Sequence, residues 1–547
     1  MKKINKIYSA LALTAVLGLT SCIDETFPKE SVATSTQISQ SASALEGSVN
    51  GIPSQMSQGY LVYGSQVEEI DMAYPMFMIA QTELMGDMYP GGDNVGYDWY
   101  LGFNTLSYNV GPNSAESYLP WFTLYKFIKS ANDIISTVNI EDPNATDAQK
   151  GYAGIAYACR AFDYFMLTAF YEPIENKYTD VSAVKGLTVP FVLETTTPDE
   201  AKNNPRVPHD EMIAFILSDL DKAESCLKNF TPKTKQVPSL AVVYGLKAKV
   251  YMWDEDYANA AKYARLAIET SKAQPMSETE WTDPKSGFTK ACNSWMWYLT
   301  YSAENMGNLC NLIGWVSNED GWGYSTLTKP MIDKSLYDKI GTSDFRKHVF
   351  LDPEKYNYYE YQTCRDKEFI EDELPAYASL KFRCASGNWE DFKVGAAVDV
   401  PVMRVEEMYL INAIATAASE RVEAGKAILT SFMQTYRDPN FNSKAQDLRD
   451  FQIEALNQMR IEFWGEGNAF PIAKRLKVGT MQNYAGTNCT ADILKLNCEG
   501  IKPNWNFVIP TTEVQSNVAL EGKNNPDPTK TVECPSPEGK YGAPKTK

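Results

Sequence analysis

Histidine is almost missing from this chain, which has only His209 and His348 among 547 residues. Neither histidine lies near a candidate nucleophilic serine or a pair of cysteines, so a catalytic triad and a zinc site are both disfavoured. The sequence also lacks a GxSxG elbow, a P-loop and a dinucleotide-binding fingerprint. Nothing in it places two acids across a sugar, as a glycosidase requires. We therefore predict a protein that is not an enzyme and needs no cofactor.

Positive charge is in short supply, because 51 lysines and arginines face 69 aspartates and glutamates, which gives a formal net charge of −18. Binding to a phosphate backbone requires a basic face, and the sequence shows none. A nucleic-acid partner is therefore disfavoured. The acidic stretch at residues 93–98 lacks the carboxylate spacing and final glutamate of a calcium loop, so no metal is predicted.

The ten cysteines include no CxxC pair. In an oxidising compartment Cys364 could bridge to Cys384, or Cys489 could bridge to Cys498. Spacing alone does not decide between a bridge and free thiols, so both alternatives remain open.

Only one long apolar run occurs, at residues 7–19, and it is too short to span a bilayer as a helix. Lys2, Lys3 and Lys6 precede it, which is the pattern of an export signal. We therefore predict that residues 1–21 are a signal peptide.

The end of this signal, LTSC at residues 19–22, resembles a bacterial lipobox and predicts lipid attachment to Cys22. Two or more acyl chains bury enough methylene groups for stable anchoring. Asp24 and Glu25 resemble the surface-export signal of some Gram-negative lipoproteins, so we expect a lipid-anchored protein exposed on the outer membrane. The Ser, Thr and Gln of residues 22–42 predict a flexible tether.

Helical periodicity dominates the remaining residues, 43–547, which we predict to form a single domain. The clearest pattern lies at residues 239–270, where a break at residues 254–256 separates two helices and Ser239 is a plausible N-cap. Small residues opposite large aromatics resemble a tetratricopeptide repeat, which must stack on neighbours. Degenerate partners occur at residues 121–137, at 148–171 with 208–229, and at 402–418 with 422–437.

Long segments of another character separate these helices, and they are rich in Gly, Pro, Trp and Tyr. Residues 295–299 alternate in a way that predicts a short strand. Loops of this length are usually functional or disordered, and their aromatic content argues against disorder. We therefore expect ligand-binding loops at residues 86–118 and 272–400.

The order of the segments resembles the SusD/RagB family of outer-membrane nutrient-binding lipoproteins. The resemblance runs from the lipobox through nearly the whole chain. It rests on WFTLYKFIKSANDII, AYACRAFDYFMLTAFY, NPRVPHDEMIAFILSDLDKA, LAVVYGLKAKVYMW, GTSDFRK, VPVMRVEEMYLINAIA, MRIEFWGEGN and NFVIPTTEVQSN, which occur in the family's order. One departure follows Gly467, where Asn468, Ala469 and Phe470 replace the family's usual Arg and Asp-bearing turn.

The resemblance implies a mainly α fold, a tetratricopeptide-like superstructure of about four helix pairs with long loops and short β-hairpin insertions. It also implies a partner. Family members cap a SusC-like TonB-dependent transporter, with the helical face docked on the barrel and the loop face presenting the ligand.

Binding of a glycan without chemistry needs flat aromatic faces, flanked by amides or carboxylates for the sugar hydroxyls. Two loop regions offer them, and in family members the loop that corresponds to the first contributes an aromatic to the sugar platform. The predicted contacts are Asp87, Tyr97, Trp99, Tyr100 and Asn104 in the first loop, and Trp315, Trp322 and Tyr324 in the second. Trp99 and Trp322 are the strongest candidates. Trp121, Trp253, Trp295 and Trp297 lie on helix or strand patterns and are predicted to be core.

The expected function is the capture of oligosaccharides at the cell surface and their transfer to a SusC-like importer. Two alternatives remain. A peptide groove in the same family would also use Tyr and Trp with an acidic rim, and a surface glycosidase would turn the ligand over.

Overall fold

The computed structural model describes residues 42–62, 69–92, 95–304, 309–354, 364–530 and 535–543. The predicted signal peptide, Cys22 and the tether as far as residue 41 lie outside the described residues. The described part is mainly α-helical with a few short strands, as the sequence predicts.

Twenty α-helices occur in the described residues. The first ten are α1 (Ala42–Met56), α2 (Tyr74–Leu84), α3 (Leu101–Asn104), α4 (Ala115–Ile135), α5 (Asp147–Tyr171), α6 (Pro198–Ala201), α7 (His209–Leu227), α8 (Leu240–Trp253), α9 (Tyr257–Ser271) and α10 (Glu278–Thr282). The others are α11 (Leu312–Val316), α12 (Ser325–Thr328), α13 (Lys334–Tyr337), α14 (Lys367–Glu373), α15 (Phe392–Gly395), α16 (Val405–Ser419), α17 (Val422–Tyr436), α18 (Leu448–Glu462), α19 (Phe470–Arg475) and α20 (Thr511–Ser516).

Six short strands form three antiparallel pairs in the described residues. The strands are β1 (Met88–Pro90), β2 (Trp295–Thr300), β3 (Pro330–Ile332), β4 (Asp399–Arg404), β5 (Thr480–Met481) and β6 (Asn497–Cys498). β1 pairs with β3, β2 with β4, and β5 with β6. The β1–β3 pair therefore joins the first predicted binding loop to the second.

The long helices pack as consecutive neighbours, in the manner of a helical repeat array. α4 packs on α5, α5 on α7, α7 on α8, α8 on α9, α9 on α16, and α16 on α17 and α18. Each helix thus buries its apolar face against the next one, which is why a single pair would not be stable alone.

The helix pair α8 and α9 shows how the sequence sets this packing. α8 ends at Trp253 and α9 begins at Tyr257, so the predicted break is confirmed. Ser239 occupies the N-cap position of α8 without a side-chain capping bond, whereas Asp256 caps α9 by accepting a hydrogen bond from the Asn259 N–H. Four buried alanines of α9, Ala260, Ala261, Ala264 and Ala267, allow the neighbouring helices to approach closely.

The strand predicted at residues 295–299 is β2, and it pairs with β4, which leads directly into α16. Trp295 and Trp297 are fully buried on it, and Trp121 and Trp253 are fully buried on α4 and α8. All four are therefore core residues, as predicted. The loop at 272–400 is attached to the helical scaffold through this pair of strands.

Buried ion pairs fix the end of α18 to the rest of the core. The Glu462 carboxylate accepts charged hydrogen bonds from Arg346, Arg404 and Arg437, at 2.8–3.0 Å, and all four side chains are buried. The chain then turns at Gly467, whose φ of 82° suits a glycine. The turn leads into α19, where Phe470 is buried.

Cys364, Cys384 and Cys489 are free thiols, so neither of the two suggested bridges is formed. Among the described residues, no helix combines the length and the apolar character that a membrane crossing requires. The same part of the chain holds no group of three or more His, Cys, Asp or Glu residues placed to bind a metal ion.

Candidate functional site

Rings from the two predicted binding loops meet on one surface. The Trp99 and Tyr324 ring centroids lie 5.8 Å apart, and those of Tyr97 and Tyr324 lie 6.4 Å apart. Tyr97 is 48% exposed, while Trp99 and Tyr324 are half-buried. We call Tyr97, Trp99 and Tyr324 the aromatic platform.

A second layer of rings supports the platform from below. Trp315 stacks on Tyr324 with 4.6 Å between centroids and 8° between planes, and Tyr100 meets Trp315 edge-on at 5.2 Å. The Tyr100 hydroxyl donates a hydrogen bond to the Ile70 carbonyl, 3.0 Å away. These contacts fix the orientation of Tyr324, because its face is held against a buried ring.

A cleft of about 790 Å³ opens beside the platform, and Trp99 forms part of its wall. Its lining comes from residues 95–116 together with Ile70, Ile493, Asp527 and Thr529. Hydroxyls, amides and carboxyls therefore face the same space as an aromatic side chain. This is the combination that a sugar needs for stacking and for hydrogen bonding of its hydroxyls.

Two carboxyls in this cleft are held by the local fold. Asp98 Oδ1 accepts hydrogen bonds from the backbone N–H groups of Tyr100 and Leu101, at 3.1 and 3.2 Å, which fixes the start of α3. Burial raises the pKa of the Asp98 carboxyl above its usual value, although these N–H groups act to lower it. Glu116 Oε1 accepts a hydrogen bond from the Asn109 amide at 2.9 Å.

A glycine makes room for Glu116. A Cβ added to Gly102 would lie only 2.1 Å from Glu116 Oε1. Any larger residue at position 102 would therefore displace that carboxylate. The cleft wall therefore depends on a close approach of backbone and side chain.

Asp87 was predicted as a ligand contact, but the structure buries it completely. Its carboxylate forms an ion pair with Arg460, and its carbonyl accepts a hydrogen bond from Trp464 Nε1 at 2.8 Å. The prediction of a surface contact fails because Asp87 anchors the start of β1 to α18.

Asn104 is also fully buried, which corrects its prediction as a surface contact. Its amide donates to Glu83 Oε2 at 3.3 Å, and its oxygen accepts from Gln482 and Lys502 at 3.0 and 2.8 Å. These bonds join α3 to the C-terminal segment. Asn104 therefore holds the floor of the first loop.

Tyr100 and Trp315 are buried as well, and they belong to the supporting layer rather than to the exposed surface. Trp322 is half-buried and lies against Gly395. The structure therefore joins Trp99 to Tyr97 and Tyr324 and places Trp322 against α15. A ligand contact by Trp322 stays a prediction.

Sequence reasoning missed most of the cleft lining. Asp98 was considered only as part of a calcium-like stretch, although its position before Trp99 placed it in the right loop. Glu116 lies in the first turn of α4, where an acidic residue is common because it interacts favourably with the helix N-terminus. Asp527 and Thr529 come from the far end of the chain, and nothing local marks them as neighbours of this loop.

Comparison with known proteins gives matches to a family model and to solved structures. Residues 81–252 match SusD-like_3, a family described as "Starch-binding associating with outer membrane". No curated protein matches the sequence.

Among the solved structures, a SusD-like carbohydrate binding protein from Bacteroides vulgatus has a TM-score of 0.71 at 18% identity and covers 89% of this chain and 98% of its own. A laminarin binding SusD-like protein has a TM-score of 0.60 at 18% identity, with coverages of 89% and 98%. Surface glycan-binding protein A from Bacteroides uniformis has a TM-score of 0.62 at 16% identity, with coverages of 90% and 100%. The chain thus has the SusD-like fold over most of its length, and residues 81–252 match a SusD-like family model.

Proposed function

We propose that this protein is a glycan-binding lipoprotein of the cell surface that captures oligosaccharides at the aromatic platform and the cleft beside it. One observation carries the proposal: rings from two loops that are distant in sequence form one surface. Trp99, at the edge of this surface, also lines a cleft rich in hydroxyl, amide and carboxyl groups. Sugar C–H groups stack on such rings while the polar groups bond to the sugar hydroxyls.

The comparisons support this proposal by fold and by family description. The matching family is described as starch-binding. Two of the similar structures are named as a laminarin binding protein and a surface glycan-binding protein. Loop residues set the ligand, and the similar structures, which are less than one fifth identical, show the fold alone. The particular glycan is therefore for experiment to decide.

Transfer of the captured glycan to a SusC-like TonB-dependent transporter completes the proposal, and it rests on the resemblance of the whole chain to SusD/RagB proteins. The same resemblance supports binding without turnover. A hydrolysis assay on every glycan that binds tests this point, since measurable turnover would favour the glycosidase alternative.

Titration calorimetry against a panel of glycans tests the site. We expect Trp99→Ala and Tyr97→Ala each to weaken binding by about tenfold, because loss of one stacking ring removes about 1–2 kcal/mol. The matched control is Tyr263→Ala, which removes a half-buried ring that stacks on Tyr251 in the helical scaffold, 5.5 Å between centroids. Equal affinities for the Trp99 variant and the control would refute the platform. Trp322→Ala, measured alongside, decides whether that residue contributes.

The proposed anchor has its own test. Cys22→Ala should release a protein into the medium that still binds glycan, because the acyl chains that hold it are lost. Fractionation of cells followed by immunoblotting measures the release. Retention of the variant in the outer membrane would show that something other than the lipid, such as docking on the transporter, holds the protein there.

A further inference from the structure

The ionisable side chains that line the cleft all have one sign. Asp98, Glu116 and Asp527 contribute carboxyls to it, and no lysine, arginine or histidine is found among its described lining residues. Lys530 lies next in sequence to Thr529 and pairs with Asp527 Oδ2 at 3.3 Å, but its own side chain is largely exposed. The space beside Trp99 is therefore acidic.

Asp98 shows that negative charge is already unfavourable at this position. Its hydrogen-bond donors are backbone N–H groups, which stabilise a carboxylate less than a full positive charge does. The pKa of Asp98 is raised by burial, and this means that the surroundings oppose an anion there. A ligand carboxylate in the same cleft would find no lysine, arginine or histidine among the described lining residues to offset its charge.

The aromatic platform has an acidic neighbour too. Burial raises the pKa of the Tyr324 hydroxyl, and Cys310 and Glu69 raise it further through their charges. Glu69 therefore lies within electrostatic range of the ring on which a sugar would stack.

Acidic sugars are recognised in proteins by arginine or lysine, and a guanidinium matches a carboxylate or sulfate with two parallel hydrogen bonds. The cleft offers instead acceptors and neutral donors, such as the amide of Asn109 and the hydroxyls of Thr105 and Ser107. These groups suit the hydroxyls of an uncharged sugar. They supply no positive charge to an anion.

We infer that this site selects glycans without carboxylate or sulfate groups and excludes uronate-rich and sulfated ones. The inference rests on the proposed function, because it names the ligand class of the same site. Asp98 and Glu116 act as specificity-determining residues, since their carboxyl groups form hydrogen bonds with the hydroxyls of neutral sugars and stand where an anionic sugar would need a cation.

The experiment uses one glycan in three forms, so that the polymer backbone stays the same. The first form is a neutral glycan found to bind in the panel. The second is the same glycan after oxidation of part of its primary C6 hydroxyls to carboxylates. The third is the oxidised glycan after methyl esterification, which removes the charge but not the new carbonyl group.

We expect the oxidised form to bind about tenfold more weakly than the neutral form at low salt, with recovery of most of the affinity in the methyl ester. High salt should reduce the difference in affinity between the neutral and oxidised forms, because it screens repulsion between partly exposed charges. Equal binding of the neutral and oxidised forms would overturn the inference. A loss that esterification does not reverse would overturn it too, because the cause would then be the shape of the sugar.

A charge variant provides a second readout. Ile493 lines the cleft and is 44% exposed, so a longer polar side chain fits there without burial. Compared with Ile493→Met, Ile493→Lys should bind the oxidised glycan about threefold more tightly, because it adds the missing cation. No gain in the lysine variant would count against the electrostatic explanation.

The outcomes separate this inference from the proposed function. Preferential binding of a uronate or sulfated glycan would contradict the inference and leave glycan capture standing. Failure of every glycan in the panel to bind would contradict both.

Discussion

Individual aromatic residues of the two loops fall into two layers that do different work. Tyr97, Trp99 and Tyr324 have surface to offer a ligand, whereas Tyr100 and Trp315 hold Tyr324 in place from beneath. Ring type and loop position identified the residues but not their layer. Whether a ring is exposed or buried depends on its contacts with distant parts of the chain. A single sequence does not show those contacts.

Asp87 gives the sharpest contrast between prediction and structure. A short acid beside Gly86 in an aromatic loop has the composition of a sugar contact, yet its side chain is buried against Arg460. Its role is decided by Arg460 of α18, which lies 373 residues further along the chain. Composition therefore indicated a loop that borders the cleft, but it did not show that Asp87 is buried.

Asp87→Asn should lower stability much more than it lowers glycan affinity. Removing the charge from a buried ion pair leaves Arg460 uncompensated, which typically costs about 3 kcal/mol. Chemical denaturation followed by circular dichroism measures the loss.

The control for Asp87 is Asp133→Asn, which breaks an exposed pair with Lys129 on α4 and should leave the denaturation midpoint nearly unchanged. A folded Asp87 variant that loses glycan binding at low temperature would restore Asp87 to the list of contacts.

Among the secondary-structure elements, the long helices were the most predictable part of the molecule. Their apolar residues recur with the helical period, and the break at residues 254–256 contains Asp256, which caps the next helix. The short helices and strands between them were not predictable in the same way. β1 and β3 are three residues each, and they exist because they pair with each other across 240 residues of chain.

Three of the predictable helices meet at His209, the first residue of α7. His209 Nδ1 lies 3.0 Å from the Glu172 carboxylate, just after α5, and Nε2 lies 3.1 Å from Asp254, just after α8. The hydrogen bond to Glu172 raises the pKa of His209 above its ordinary value of 6.5, against the effect of burial. Burial acts to raise the pKa of the Glu172 carboxyl, and the hydrogen bond from His209 acts to lower it. The pKa of Glu172 lies below its usual value as a result. Protonated His209 therefore joins two carboxylates, and it keeps its proton to a higher pH than an ordinary histidine does.

His209→Gln should destabilise the protein in a pH-dependent way. The folded-state pKa lies above the unfolded one, so the stabilisation by His209 is complete below about pH 6.5 and is lost as the pH rises through the folded-state value. The difference in free energy of unfolding between the wild type and the variant should thus be larger at about pH 5.5 than at about pH 8.5. Denaturant titrations at both pH values measure it. A difference that does not vary with pH would show that His209 acts by packing alone.

At the scale of the whole molecule, a helical array supports a surface made of loops. Different features of the sequence determine the array and the loop surface. The array is set by apolar periodicity, so related proteins keep it at 16–18% identity. The loop surface is assembled from residues 95–116, 315–324 and 527–529, which come together only because the array brings them to one place. The sequence therefore predicts the scaffold and the binding loops, and the structure is needed to define the cleft between them.

The most direct test of this account is a crystal structure of the protein with a bound oligosaccharide from the panel. We expect a sugar ring stacked on Trp99 or Tyr324, with its hydroxyls bonded to cleft residues such as Asp98 and Asn109. A sugar bound only on the helical scaffold, away from the platform and the cleft, would contradict the account.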